Sequence, residues 1–179
     1  MARISQKRVG EFLAAGQAAA TTRDQGKALE DLICYIFECI PGISVTQRNV
    51  LDVFQAEEVD VAFWNDQHHQ GMWFLPTLLL VECKNWSVPV SNDEVVFFDE
   101  KLRRRGLSFG ILVATNGITG DPARRTAAHA TIAGALTEQR KLIVLTVDEI
   151  KTFTDGKQVI ALIKRKLCEL AVAGTLFAA

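Results

Sequence analysis

Asp60 stands in the alternating stretch Glu57-Glu58-Val59-Asp60-Val61-Ala62-Phe63, and the apolar run Leu78-Leu79-Leu80-Val81 ends in Glu82-Cys83-Lys84-Asn85-Trp86. Charges on core strands are unfavourable unless paired or bound to a metal, so these positions ask for a chemical reason. Side chains alternate along a strand, which points Glu82 and Lys84 to one face and Cys83 to the other. With Asp60 on an adjacent strand facing them, a carboxylate pair and an ammonium converge, and a divalent cation neutralises the acids. Hard oxygen ligands favour Mg²⁺ or Mn²⁺ over zinc, and Mg²⁺ keeps several waters and is completed by phosphate oxygens. The chemistry is then phosphate-ester cleavage. The cation polarises the phosphoryl oxygen and acidifies a bound water, while Lys84 orients that water or stabilises the developing charge. The backbone carbonyl of Cys83 offers a further ligand. The plainer reading of Glu-x-Lys is an edge salt bridge; what separates the two is Asp60 on its own strand and Glu30 on an upstream amphipathic helix.

These residues need a sheet to hold them. A polar, alanine-rich helix over residues 4–20 is expected first, then a second helix with Asp24 as N-cap. In the second, Leu29, Leu32, Ile33, Ile36, Phe37 and Ile40 form one apolar face until Pro41-Gly42 stops it, and Glu30 rides beside that face. Ile43-Ser44-Val45-Thr46-Gln47 and a connecting stretch lead to the Asp60 strand. A polar turn over residues 66–71 follows, and then a strand over residues 77–84, its start marked by Pro76. So short a connection implies an antiparallel pair. Residues 92–105 read as a helix with Val95, Val96, Phe98 and Leu102 buried, closed by Gly106. Beyond it lie a buried strand at 109–114, a loop at Thr115-Asn116-Gly117, a helix over 122–139 and an apolar strand at 142–145. Strand, helix, strand implies a parallel crossover. Two helical segments, 147–153 and 158–172, divided by Asp155-Gly156, complete the chain. The fold class is α/β, a mixed central sheet of four to five strands flanked by helices, with the acids on an antiparallel pair in its middle.

The 179 residues, 49% hydrophobic, suit one domain spanning residues 1–179, with a core over about 24–150, an N-terminal helix at 4–20 and a C-terminal helical tail at 151–179. A formal charge of -1 excludes the profile of a protein that coats nucleic acid, though not a local basic patch. Cys34, Cys39, Cys83 and Cys168 show no zinc-finger spacing, and most suit core positions. Without a leader's apolar segment or a stretch long enough to cross a bilayer, the expectation is a cytoplasmic protein with reduced thiols and no membrane partner.

On these residues the chain resembles the PD-(D/E)XK nuclease superfamily, the restriction-endonuclease-like three-layer core, and within it the Mrr-like catalytic domain. The resemblance spans about residues 26–150. It rests on Gly26-Lys27-Ala28-Leu29-Glu30, Val59-Asp60-Val61, Val81-Glu82-Cys83-Lys84, and the run from Gly110-Ile111-Leu112-Val113-Ala114 to Thr115-Asn116-Gly117-Ile118-Thr119, in that order. It implies that Asp60 and Glu82 are metal ligands, that Lys84 activates water or stabilises charge, and that Glu30 orients the site or helps a second metal. It also implies Mg²⁺- or Mn²⁺-dependent DNA hydrolysis, as in a defence or restriction effector. A homodimer or higher oligomer and an activating protein or ligand are compatible partners. Val59 stands where the superfamily's name has proline, and the glycine common before the aspartate region of Mrr-like domains is not evident. A non-catalytic nucleic-acid-binding or assembly module of the same fold, and an RNA-cleaving nuclease, stand as alternatives.

Arg103, Arg104 and Arg105, with Arg124 and Arg125, are the candidate phosphate contacts, set against a solvated role at helix ends. His68-His69 reads as an exposed loop pair rather than a metal site. Trp86 reads as a cover for the core edge. Asp93, Glu94, Asp99 and Glu100, with Lys101, read as a charged outer helix face, outside the site.

Overall fold

The computed structural model describes residues 2–51 and 58–176, so Glu57 and the end of the helical tail lie outside the described residues. Helix α1 (Gln6–Ala18) is capped by Ser5. Helix α2 (Thr22–Glu38) is capped by Thr21, whose hydroxyl accepts from the Asp24 N–H and donates to Asp24 Oδ2 at 2.7 Å. Asp24, the expected cap, therefore sits inside the first turn, where its charge also suits the helix dipole. Leu29, Leu32, Ile33, Ile36 and Phe37 are buried along one stripe, and that stripe seats α2 on the sheet.

Pro41-Gly42 turns the chain into a strand, β1 (Ile43–Leu51), rather than a plain connection. Its residues are mostly exposed, as suits an edge, and pairing with β2 (Glu58–Asn65) makes it a strand. Next comes β3 (Leu78–Lys84), then α3 (Asn92–Arg104), β4 (Phe109–Ala114), α4 (Ala128–Thr137) and β5 (Lys141–Thr146). The sheet order is β1-β2-β3-β4-β5. β1, β2 and β3 are antiparallel neighbours; β3, β4 and β5 are parallel, joined through α3 and α4. Every residue of β4 is buried, as a central parallel strand covered on both faces requires. α5 (Val147–Ile150) opens with a capping box at Thr146 and Glu149, and α6 (Gly156–Ala173) contributes Val159, Ile163 and Leu170 to the core.

Two helix expectations are corrected. α4 begins at Ala128, not near Pro122, because Asp121 Oδ1 takes the N–H groups of Ala123 and Arg124 into a turn, and Arg125 and Ala127 adopt positive φ. On α3, Val96 is 38% exposed, while Lys101 takes a place on the buried stripe with Val95, Phe98 and Leu102. That stripe sits close to the sheet at Gly110. A Cβ there would come within 2.5 Å of Leu102 Cδ1 and 2.8 Å of Phe98 Cζ, so glycine sets how near α3 lies to β4.

The β2–β3 connection is held by Asn65, fully buried, whose side-chain amide donates to the carbonyls of Met72, Leu75 and Pro76. Its Oδ1 accepts the Gln67 N–H. Asn65→Leu removes the side-chain donor to the Pro76 carbonyl and the acceptor of the Gln67 N–H, while Met72 and Leu75 keep other donors, and the expected loss is about 2 kcal/mol, read by urea denaturation. A loss within experimental error would show that water reaches the turn.

Candidate active site

The sheet parts at the acids. β2 pairs with β3 from Trp64↔Leu78 to Val61↔Val81, and the register stops one residue short of Asp60 and Glu82. Beyond that point β2 stays with β1, to Leu51↔Glu58, while β3 stays with β4, to Lys84↔Ala114. The Cys83 N–H would be left without a β2 carbonyl, and Asp60 takes it: Oδ2 accepts at 2.7 Å.

Glu82 and Lys84 share the face turned to α3. Glu82 Oε1 lies 3.2 Å from Lys84 Nζ, and Lys84 Nζ lies 2.8 Å from Glu94 Oε2 on α3. Glu82 Oε2 lies 2.5 Å from Lys101 Nζ, which also donates to the Glu58 carbonyl at 2.6 Å. Cys83, on the opposite face, is buried, and burial together with the nearby Asp60, Glu30 and Glu82 raises its thiol pKa well above the usual value. It is a packing residue, not a nucleophile. Cys34 and Cys39 are likewise buried, and Cys168 is exposed.

Glu30 comes from α2. Its Oε2 accepts from Asn49 Nδ2 at 3.0 Å and lies 3.3 Å from Arg48 Nη2, both on β1. Arg48 also binds Asp31 at 2.7 Å. Asn49 has φ of +51°, a left-handed geometry that asparagine tolerates better than most residues. Asn49, Glu30, Glu58 and Asp60 line one cleft of about 600 Å³ with Arg23, Lys27 and the start of α2.

The electrostatics single out Asp60. Burial and then the neighbouring Glu82 charge push its carboxyl up from 3.8 to about 7, against the opposing pull of the Cys83 N–H and of Lys101 and Lys84. Lys84 moves the other way from a lone buried lysine. Burial lowers its pKa, but Glu82 and Glu94 outweigh burial and raise it, so its ammonium stays charged.

Sequence reasoning missed Lys101 and Glu94, assigning them to an outer face; the structure turns both inward onto Glu82 and Lys84. A signal was present: Lys101 falls within the Val95, Phe98, Leu102 stripe, where a solvated lysine does not belong. Arg48 and Asn49 carried no signal, since only the β1–β2 register places them. The arginine runs lie elsewhere than the cleft lining. Arg103 and Arg104 pair with Glu100, and Arg105 donates to the Lys101 carbonyl. Arg124 pairs with Asp121, and Arg125 donates to the Ala173 carbonyl. His68 accepts the Gln70 N–H in its turn, and Trp86 sits at the strand end with Lys84 Nζ 5.7 Å from its ring.

A mixed sheet that splits beside an acid pair and a charged lysine, flanked by helices, is a restriction-endonuclease-like fold. The chain belongs to the Mrr-like restriction endonuclease catalytic family, whose model matches residues 23–146. It is therefore a nuclease domain of a family that acts on DNA. Comparison with curated proteins finds no match. Among the described residues no helix is long and apolar enough to cross a membrane.

The raised Asp60 pKa has a consequence for stability. Folded Asp60 holds its proton to higher pH than the unfolded chain, so from 3.8 to about 7 this residue makes stability fall as pH rises. In chelator, Asp60→Asn, which keeps an acceptor for the Cys83 N–H, is expected to gain on the wild type across that window and to hold its advantage above it. Urea denaturation at stepped pH measures the difference; a difference constant with pH would contradict it.

Proposed function

We propose that this domain is a metal-dependent endonuclease that hydrolyses DNA phosphodiester bonds at the split between β2 and β3. The observation that carries the reading is Asp60: a half-buried carboxylate beside Glu82, its pKa displaced to about 7, lining a cleft of about 600 Å³.

The donor set suits Mg²⁺ or Mn²⁺. Asp60 and Glu82 provide adjacent carboxylates whose mutual repulsion a cation relieves, and the Cys83 carbonyl follows in the same strand. Among the described residues no group of three or more His, Cys, Asp or Glu could hold a metal ion, and the set here is two carboxylates and one carbonyl. A short protein ligand set of that kind suits an ion that keeps waters and takes phosphate oxygens. Asp60, Glu82 and the Cys83 carbonyl would hold it. When bound, it supplies Lewis-acid polarisation of the phosphoryl oxygen and a more acidic water.

The chain's own groups have distinct parts. Lys84, kept charged by Glu82 and Glu94, is a hydrogen-bond donor to the phosphate and to the attacking water, and stabilises charge rather than removing a proton. Glu30, held by Arg48 and Asn49, orients the cleft side of Asp60. Arg23 and Lys27 line the same cleft and suit the strand being cut. The runs at 103–105 and 124–125 are left for flanking DNA. Cutting both strands requires a second site or a second visit, for which a homodimer is the simplest arrangement. A role in defence, under the control of an activating partner, fits a catalytic domain of this family.

The test is cleavage of supercoiled plasmid and of a matched RNA with Mg²⁺ or Mn²⁺, beside Asp60→Ala, Glu82→Ala and Lys84→Ala. Each variant is expected to lose roughly 100-fold or more in rate on DNA, the usual scale for losing a charge-stabilising or ligand group. Equal nicking by wild type and variants would remove the assignment, and cleavage confined to the RNA would reassign the substrate.

A further inference from the structure

Both carboxylate oxygens of Glu82 are taken by cations that the chain itself supplies. Oε1 faces Lys84 at 3.2 Å and Oε2 faces Lys101 at 2.5 Å. The lysines are not equivalent. Lys84 is drawn towards Glu94, at 2.8 Å, and so has a second carboxylate to stay with. Lys101 has no second acid at such a distance among its described contacts; its other partner is the Glu58 carbonyl, at 2.6 Å. Its side chain is 11% exposed, and α3 is held against β4 at Gly110.

We propose that Lys101 is an internal counter-ion to Glu82 which a divalent cation has to displace, so that Lys101 sets the affinity of the Asp60–Glu82 pair for metal. This rests on the reading that the acid pair takes the metal. A cation on Glu82 needs an oxygen at roughly 2.1 Å, and Lys101 already occupies Oε2. An ammonium in contact with that oxygen also stands close to the incoming charge, in a site dry enough for the repulsion to count. Lys101 can leave Glu82 and keep a hydrogen bond to the Glu58 carbonyl, so displacement does not strand it. Lys84, tied to Glu94, stays in place for the phosphate. The two lysines thus divide the work: Lys101 neutralises the acids in the metal-free protein, and Lys84 remains when metal has arrived.

A purely structural role for Lys101 predicts the opposite result. If it only holds Glu82 in position, removing it disorders the ligand and weakens metal binding. The deciding experiment is Mn²⁺ binding by calorimetry to metal-free wild type, Lys101→Met, Lys101→Gln, Lys101→Arg and Asp60→Asn, each checked for folding by circular dichroism. Lys101→Met and Lys101→Gln are expected to bind Mn²⁺ about tenfold more tightly than wild type or better, Lys101→Arg as wild type does, and Asp60→Asn to lose binding. If Lys101→Met fails to fold without metal, Lys101→Gln, which puts a neutral polar amide at that position, decides. Unchanged or weaker binding by the neutral variants, with wild-type binding that depends on Asp60, overturns the counter-ion role and leaves the metal reading standing. No Mn²⁺ binding by the wild type, or binding unmoved by Asp60→Asn, removes the metal reading and this inference with it.

Discussion

The hydrogen bond from the Cys83 N–H to Asp60 Oδ2 is the contact on which the site depends. A sheet that divides leaves main-chain donors exposed along the split, and a buried orphan donor is costly. Here the end of β2–β3 pairing at Val61↔Val81 creates that need, and a carboxylate from the departing strand meets it. The same act brings Asp60, half-buried at the cleft, beside the buried Glu82. Everything nearby answers the resulting charge: Lys84 and Lys101 towards α3, and the raised pKa that remains because they only partly offset burial and repulsion.

The two helical layers serve that split unequally. α2 carries Glu30 on the shoulder of a stripe that is otherwise buried, so packing of Leu29, Leu32 and Ile33 fixes where the acid emerges, and β1 then pins it through Arg48 and Asn49. α3 is set by its contact over Gly110, which makes a long side chain from its last turn, Lys101, able to reach the sheet. Ion pairs elsewhere also cluster: Arg140 forks onto Asp99 and reaches Glu138, and Glu149 takes both Lys166 and Arg165. At the split the pairing is crowded and incompletely balanced, which is the condition under which a site gains from a bound cation or an anionic substrate.

Much of the frame was legible because it is written locally. β4 and β5 are short apolar runs bounded by turns, α2 ends at Pro41-Gly42, and α3 ends where Gly106 adopts a positive φ. The start of α4 was not legible, because Asp121 diverts Ala123 and Arg124 into a turn that competes with helix. Nor was β1, an exposed edge with little apolar alternation, whose strand character comes from its partner.

For the site, sequence alone determined that Asp60, Glu82 and Lys84 sit on strands that burial would not choose for them, since a two-residue period and an apolar run dictate which face each takes. Glu30 followed from the helical period of α2 in the same way. Only the tertiary structure decided that Lys101 and Glu94 belong with them, that Arg48 and Asn49 secure Glu30, and that the arginine runs do not line the cleft. The physical reason is range. Periodicity reports how a residue lies on its own element, whereas a charge finds its partner by distance through space, and that distance is fixed by helix seating and strand register.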